Sequence, residues 1–77
     1  MQNDLLFSFG QAVRKFRLSK GISQESFAYI CDLHRTYISD VELGKRNVSL
    51  ENIGKMANAL DMHIYELFQE VENDASI

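Results

Sequence analysis

The sequence contains no proline, four glycines and a single cysteine among its 77 residues. One cysteine cannot form an internal disulfide, which excludes the small secreted domains that disulfides hold together. No apolar run approaches the ~20 residues that a membrane-spanning helix needs. The apolar segment 5–13 follows Asp4 and has neither a basic segment nor a cleavage site, so we expect no signal peptide. These absences predict one small domain, 1–77, in the reducing cytoplasm with no membrane partner.

The chain also lacks the residue groupings of an enzyme or a metal centre. Its two histidines, His34 and His63, fall at predicted helix starts and have no recognisable catalytic companion. Together with Cys31 they do not have the spacing of a zinc site. We therefore expect neither catalysis nor a cofactor, and we interpret Cys31 as a packing thiol in an apolar helix face.

Positive charge is confined to one part of the chain. The net charge is −3, yet all eight lysines and arginines lie between Arg14 and Lys55. Residues 1–60 hold these eight against six acids, a balance of +2, whereas residues 61–77 hold five acids and no lysine or arginine, a balance of −5. A partner senses charge within a Debye length of ~8 Å, so residues 1–60 remain compatible with nucleic acid if the acidic segment faces away from it.

Apolar residues recur at helical spacing, and no alternating strand pattern is present, so we predict an all-α fold of five helices. The first helix spans 4–19, and Gly21 then stops the chain from continuing as a helix. Ser49 caps the fourth helix, and the fifth runs from 63 or 64 to 71, followed by a frayed acidic tail at 72–77. The apolar faces of the first and fourth helices comprise Phe9, Val13, Phe16, Leu50, Ile53, Met56, Ala57 and Leu60.

Residues 23–44 have the pattern of two short helices joined by a tight turn. Ser23 is a suitable N-cap, and Gly44 suits the end of the second helix. The inward positions are Phe27, Ala28, Cys31, Ile38 and Val41, and the outward polar positions are Arg35, Thr36, Tyr37, Ser39 and Asp40. A helix-turn-helix of this kind places its second helix in the DNA major groove, so the pattern predicts a DNA-binding protein.

Residues 21–68, with the lead-in 14–20, closely resemble the XRE family of lambda-repressor and Cro-like helix-turn-helix regulators. The resemblance covers about four-fifths of the chain, and the stretch 35–53, RTYISDVELGKRNVSLENI, is most similar to restriction–modification controller proteins. It implies a compact five-helix, lambda-repressor-like DNA-binding domain. It also implies a transcriptional regulator that binds a double-stranded DNA operator and activates or represses its own promoter.

The resemblance assigns the DNA-reading roles to the start of each helix in the motif. Gln24 matches a glutamine that bonds phosphate and braces the reading helix, although it could also be a simple exposed first residue. Arg35 and Thr36 match the base-reading positions, where an arginine suits the guanine edge and a threonine suits a base or a thymine methyl group. The alternative for Arg35 is a solvated surface arginine. Tyr37 and Ser39 could bond phosphate, but Tyr37 could instead lean onto the scaffold.

The loop after the reading helix is expected to grip the DNA backbone through Lys45, Arg46 and Asn47. Asn52, in the first turn of the fourth helix, could add a further phosphate bond. Asp40 departs from the family pattern because a carboxylate repels phosphate, so we expect it to pair locally.

Arg17 and Glu42 match a family pair in which a guanidinium of the first helix binds the carboxylate that ends the third. We therefore expect Arg17 to have an architectural role.

One reading helix contacts few base pairs, and useful specificity needs two copies. We therefore expect a homodimer on a palindromic operator. The stripe Ile64, Leu67, Phe68 and Val71 predicts an interface in which Leu67 turns inward and Ile64, Phe68 and Val71 meet a second copy. Residues 5–7 could extend it.

Glu25 lies where lambda-like activators present an acid to RNA polymerase, although an acid there also suits the helix dipole. A helix-turn-helix module that binds protein and not DNA is the alternative function.

Overall fold

The computed structural model describes residues 4–75, with side chains from 4 to 73, and within this range it contains five helices and no strand. The helices are α1 (Asp4–Ser19), α2 (Gln24–Cys31), α3 (Arg35–Glu42), α4 (Leu50–Ala59) and α5 (Ile64–Ala75). This confirms the predicted all-α class. None of these helices is long and apolar enough to cross a bilayer.

The predicted caps and turns set the helix ends. The hydroxyl of Ser23 accepts from the amide of Ser26 at 3.0 Å, and that of Ser49 accepts from the amide of Asn52 at 3.1 Å. Each bond satisfies an amide that the first turn of a helix leaves free. Gly21, with φ +68°, turns the chain after α1 in the left-handed region that glycine adopts without strain.

The fifth helix is longer than the sequence predicted. It continues to Ala75, so the expected end at Val71 is wrong, while residues 76–77 of the expected acidic tail lie outside the described residues. Two contacts hold its C-terminal half: Val71 is fully buried, and Glu70 accepts from Lys15 Nζ of α1 at 2.8 Å. Polar and acidic residues continue the helix for one further turn beyond Val71.

The core forms where α1 packs on α3 and α5 and where α2 packs on α3 and α4. Its buried hydrophobic members are Phe9, Ala12, Val13, Phe27, Ala28, Cys31, Ile38, Val41, Met56, Ala57, Leu60, Leu67 and Val71. Cys31 is a packing residue, as predicted, and burial raises the pKa of its thiol to about 11 against the opposing charge of Lys55. The thiol is therefore protonated at neutral pH.

Candidate nucleic-acid interface

The α2–α3 unit is a helix-turn-helix whose two inner faces form part of the core. Asp32 adopts the left-handed conformation with φ 59°, which ends α2 and reverses the chain toward α3. Its amide donates to the carbonyl of Tyr29 at 3.1 Å, and the amide of Leu33 donates to that of Ala28 at 2.9 Å. This is the capping geometry that glycine or a short polar residue adopts at a helix end. The turn therefore fixes the direction in which α3 leaves α2.

The first turn of α3 presents its polar side chains to solvent. Arg35 and Thr36 are exposed, and neither side chain has a hydrogen-bond or ion-pair partner among residues 4–73. Ser39 follows one turn later on the same helix and is half-buried. Because residues three and four apart share a helix face, these three side chains line one surface of α3. The donors of Arg35 and the hydroxyl of Thr36 are available to an external partner.

A buried ion pair fixes the opposite end of α3. The Arg17 guanidinium donates through Nε to Glu42 Oε2 at 2.7 Å and through Nη2 to Glu42 Oε1 at 3.0 Å. Its remaining nitrogen, Nη1, donates to the carbonyl of Ile22 at 2.8 Å. Both side chains are almost fully buried. Bidentate geometry constrains direction as well as distance, so α1 sets the orientation of α3, which confirms the predicted pair.

Gln24 joins the same carboxylate from the start of α2. Its side-chain Nε2 donates to Glu42 Oε1 at 3.0 Å, and the side chain remains half-buried. This contact confirms the bracing part of the role that the resemblance implied, while the phosphate contact stays a prediction. Glu42, the last residue of α3, is therefore bonded to the first residue of α2.

Two glycines allow the N-terminal half of α1 to approach the end of α3. A Cβ on Gly10 would overlap the carbonyl oxygen of Val41 and lie 2.8 Å from that of Glu42. A Cβ on Gly44, which has φ +76°, would lie 2.8 Å from the Cα of Phe7. Gln11 Nε2 also donates to the carbonyl of Glu42 at 3.2 Å. The end of α3 is thus held by backbone contact as well as by charge.

The loop after α3 folds back onto α3 through Arg46. Its guanidinium carbon lies 5.1 Å from the centroid of the Tyr37 ring, and its Nε lies 3.5 Å from Oδ2 of Asp40. The second contact confirms the expected local pairing of Asp40. The Tyr37 hydroxyl accepts from Asn52 Nδ2 at 3.0 Å, which links α3 to α4. Tyr37 therefore supports the scaffold while its half-buried ring remains at the surface.

The other two loop residues, Lys45 and Asn47, are exposed beside this network. Glu25 is exposed in the first turn of α2, where the helix dipole favours an acid. The surface around α3 thus combines exposed donors with an arginine already ordered by an aromatic ring and a carboxylate.

The three predicted dimer residues differ in exposure. Val71 is fully buried in the core of the chain itself, so it offers no surface to a second copy, and that part of the prediction is wrong. The helix turns Val71 toward α1 together with Leu67, whose predicted inward position is confirmed. Phe68 is partly buried, with its ring centroid 5.8 Å from that of Phe9. Ile64 is 41 % exposed.

Phe68 also lines an open apolar groove of about 160 Å³ between α1, α5 and the start of α4. Its lining residues are Leu5, Leu6, Phe9, Asn47, Val48, Ile53 and Phe68. The predicted extension of the interface to residues 5–7 falls at one edge of this groove.

Sequence reasoning did not single out Arg14. Its Nη1 lies 4.0 Å from Glu42 Oε1, and its side chain is half exposed. The spacing of Arg14 and Arg17, which places both on one face of α1, is the signal that could have indicated it.

Comparison with known proteins identifies the family. The family model described as "Helix-turn-helix" matches residues 13–67. The chain is 56 % identical over 68 residues to control protein C.BamHI of Bacillus amyloliquefaciens, covering 87 % of this chain and 84 % of that protein. It is 47 % identical over 73 residues to control protein C.MunI of a Mycoplasma species, covering 94 % and 99 % of the two chains.

Solved structures agree with the sequence relatives. The restriction-modification controller protein C.AhdI of Aeromonas hydrophila matches with a TM-score of 0.80 at 52 % identity, covering 82 % of this chain and 96 % of that one. The wild-type restriction-modification controller protein C.Esp1396I matches with a TM-score of 0.89 at 30 % identity, covering 96 % and 95 %. The chain therefore belongs to the XRE-type helix-turn-helix family of DNA-binding transcription regulators, among its controller proteins.

Proposed function

We propose that this protein binds a palindromic DNA operator as a homodimer, with α3 of each protomer in the major groove. The observation that carries the proposal is that Arg35 and Thr36 are exposed on a helix whose position is fixed. Both are exposed in the first turn of α3, while the far end of that helix is fixed by the buried pair of Arg17 and Glu42. A reading helix needs this combination because base recognition depends on rigidly placed donors and acceptors.

Base recognition falls to the two exposed residues. Arg35 can donate two hydrogen bonds to O6 and N7 of guanine, and the Thr36 hydroxyl or methyl group can meet an adjacent base or thymine methyl. We propose that the hydroxyl of Ser39, one turn along α3, bonds the neighbouring phosphate. The base contacts of Arg35 and Thr36 supply the sequence preference of each half-site.

Backbone contacts come from the two sides of α3. Gln24 keeps one N–H of its amide for a phosphate after bonding Glu42, and Lys45, Arg46 and Asn47 supply donors from the loop. Arg46 is ordered by the Tyr37 ring and by Asp40, so its guanidinium loses less conformational entropy on binding than a freely mobile arginine would. Such contacts fix the register of the domain on the duplex without reading sequence.

The homodimer would form through exposed apolar surface at α5 and the adjoining groove. Ile64 and Phe68 lie on α5, and the groove beside Phe68 is apolar except for Asn47. An isologous contact through this surface would pair two reading helices about a twofold axis, which a palindromic operator mirrors.

The regulatory role proposed for this chain is that of a restriction–modification controller acting on its own promoter. Its support is the similarity to C.BamHI and C.MunI, which are named control proteins, and to C.AhdI, a restriction-modification controller. Glu25, exposed at the start of α2, is proposed to contact RNA polymerase at an activated promoter. Glu25→Gln should then lower transcription in vitro without changing operator affinity, and unchanged transcription would leave only the helix-dipole role.

Selection of bound duplexes from a random DNA pool tests the proposal directly. We expect enrichment of a twofold-symmetric sequence with guanine in each half-site and half-sites about one helical turn apart. No enrichment over the starting pool would contradict the proposal and favour a protein-binding module. Enrichment of one unrepeated half-site would contradict the dimer alone.

A further inference from the structure

The carboxylate of Glu42 faces more positive charge than it can neutralise. Arg17 donates two hydrogen bonds to it, and Gln24 donates a third to Oε1. Nη1 of Arg14 lies 4.0 Å from that same Oε1. Since arginine stays protonated in proteins, one carboxylate and two guanidinium groups leave a net charge of +1 at this point.

The uncompensated charge belongs to Arg14. Arg17 is buried and its three nitrogens are all hydrogen-bonded, whereas the Arg14 side chain is half exposed. A separation of 4.0 Å is too long for a hydrogen bond, so the Arg14 donors remain available. Within residues 4–73, Arg14 has no ion-pair partner other than Glu42. The carboxylate thus attracts the Arg14 guanidinium but does not hydrogen-bond its N–H groups.

Arg14 lies beside the residue expected to bind the DNA backbone. Nη1 of Arg14 and Nε2 of Gln24 lie 4.0 and 3.0 Å from one oxygen, so these two nitrogens are at most about 7 Å apart. Donors this close address the same stretch of sugar–phosphate backbone. We propose that Arg14 is a further DNA-binding residue, which contacts a backbone phosphate next to Gln24. This inference rests on the proposed function, because it requires the α2–α3 unit to dock on DNA.

The neighbouring cation provides a matched control. Lys15 is also on α1 and has an exposed side chain, but it hydrogen-bonds Glu70 of α5 at 2.8 Å. Its charge is therefore neutralised on the side of α1 that packs against α5. Arg14→Gln and Lys15→Gln each remove one positive charge from adjacent positions, so total charge affects both variants equally. A difference in DNA affinity between the two variants therefore reports where on the surface the charge was lost.

Fluorescence anisotropy with two labelled duplexes tests the assignment: one selected by the wild-type protein from a random pool, and a scrambled duplex of equal composition. For Arg14→Gln we expect binding about tenfold weaker on each duplex, because a phosphate contact is independent of sequence. The plot of log affinity against log salt should become shallower by about 0.9 per protomer bound. Arg14→Lys should restore most of this slope, whereas a purely structural role would not give that pattern.

The outcomes separate this inference from the proposed function. If the wild-type protein shows no salt-dependent binding to either duplex, the proposed function fails and the inference fails with it. If the wild-type protein binds but Arg14→Gln matches Lys15→Gln in affinity and salt slope, the Arg14 assignment alone is overturned. Thermal unfolding of each variant checks folding, and we expect the half-exposed Arg14 to be replaceable without loss of the native state.

Discussion

Arg17 and Glu42 form two hydrogen bonds, of 2.7 and 3.0 Å, between side chains that are only 6 % and 2 % exposed. The pair joins the last turn of α1 to the last residue of α3. The other contacts of the Glu42 carboxylate, with Gln24 and Arg14, depend on its staying where Arg17 holds it. The orientation of α3 is therefore decided by a charge pair inside the protein as well as by hydrophobic packing.

Replacement of Arg17 should strongly destabilise the fold. Arg17→Met removes the cation but leaves the Glu42 carboxylate buried, so we expect a loss of about 3–5 kcal/mol in the free energy of unfolding. Lys15→Met is the control, because its ion pair with Glu70 is partly exposed and should contribute about 1 kcal/mol or less. Chemical denaturation of both variants measures the difference. Equal losses would mean that the buried pair does not hold α3.

Two glycines in helices should respond to alanine in opposite directions. Gly10→Ala places a methyl group against the backbone carbonyl of Val41, which cannot rotate away, so we expect a loss of about 3 kcal/mol. Gly54→Ala meets no atom within 4 Å and should stabilise α4 by about 0.5–1 kcal/mol, since alanine favours a helix. Thermal or chemical unfolding provides the comparison. A neutral Gly10→Ala would show that α1 can move away from α3 at little cost.

The Cys31 thiol should make the stability of the protein depend on pH in alkali. Burial raises its pKa from 9.0 to about 11, so the unfolded chain releases this proton at a lower pH than the folded protein does. Its contribution to the unfolding free energy is therefore complete below pH 9 and decreases as the pH rises toward 11. Denaturation of the wild-type protein and Cys31→Ala over this range isolates the effect, because tyrosine and lysine titration is common to both. If the unfolding free energies of the two proteins change with pH in parallel, burial does not raise the pKa of the Cys31 thiol.

Dimer formation should depend on Ile64. Ile64→Asp introduces a charge on exposed apolar surface of α5, so we expect a monomer by sedimentation at concentrations where the wild-type protein is a dimer. Gln69→Asp, at an exposed position of the same helix, adds the same charge and should remain dimeric. A wild-type protein that is monomeric at high micromolar concentration would contradict the proposed interface.

Local pattern was sufficient to predict most of the fold. The hydroxyls of Ser23 and Ser49 cap the helices expected of them, because an N-cap acts within its own turn. Periodicity likewise identified the inward faces of α2 and α3. It failed for α5, where the sequence after Val71 is polar and acidic. Val71 and the ion pair of Glu70 anchor the C-terminal half of α5 on α1, and this tertiary contact is not visible in the local pattern.

The candidate site was less predictable because its geometry depends on residues distant in sequence. The exposed position of Arg35 could be inferred from the helix pattern. The sharing of one carboxylate by Gln24, Arg17 and Arg14 could not, since it requires the angle at which α1 crosses α3. For the same reason the sequence did not distinguish Val71, which is buried within one chain, from Ile64, which is exposed on the same predicted stripe.

If α3 reads DNA through Arg35, as we propose, the loss of this side chain must weaken binding to the selected sequence. The wild-type protein and Arg35→Ala are titrated with the selected duplex and with its scrambled counterpart at increasing salt. We expect log affinity of the wild-type protein to fall linearly with log salt, and Arg35→Ala to lose about 1–3 kcal/mol of binding free energy per protomer. That loss should be confined to the selected duplex. Equal affinity of the two proteins for the selected duplex would contradict the claim.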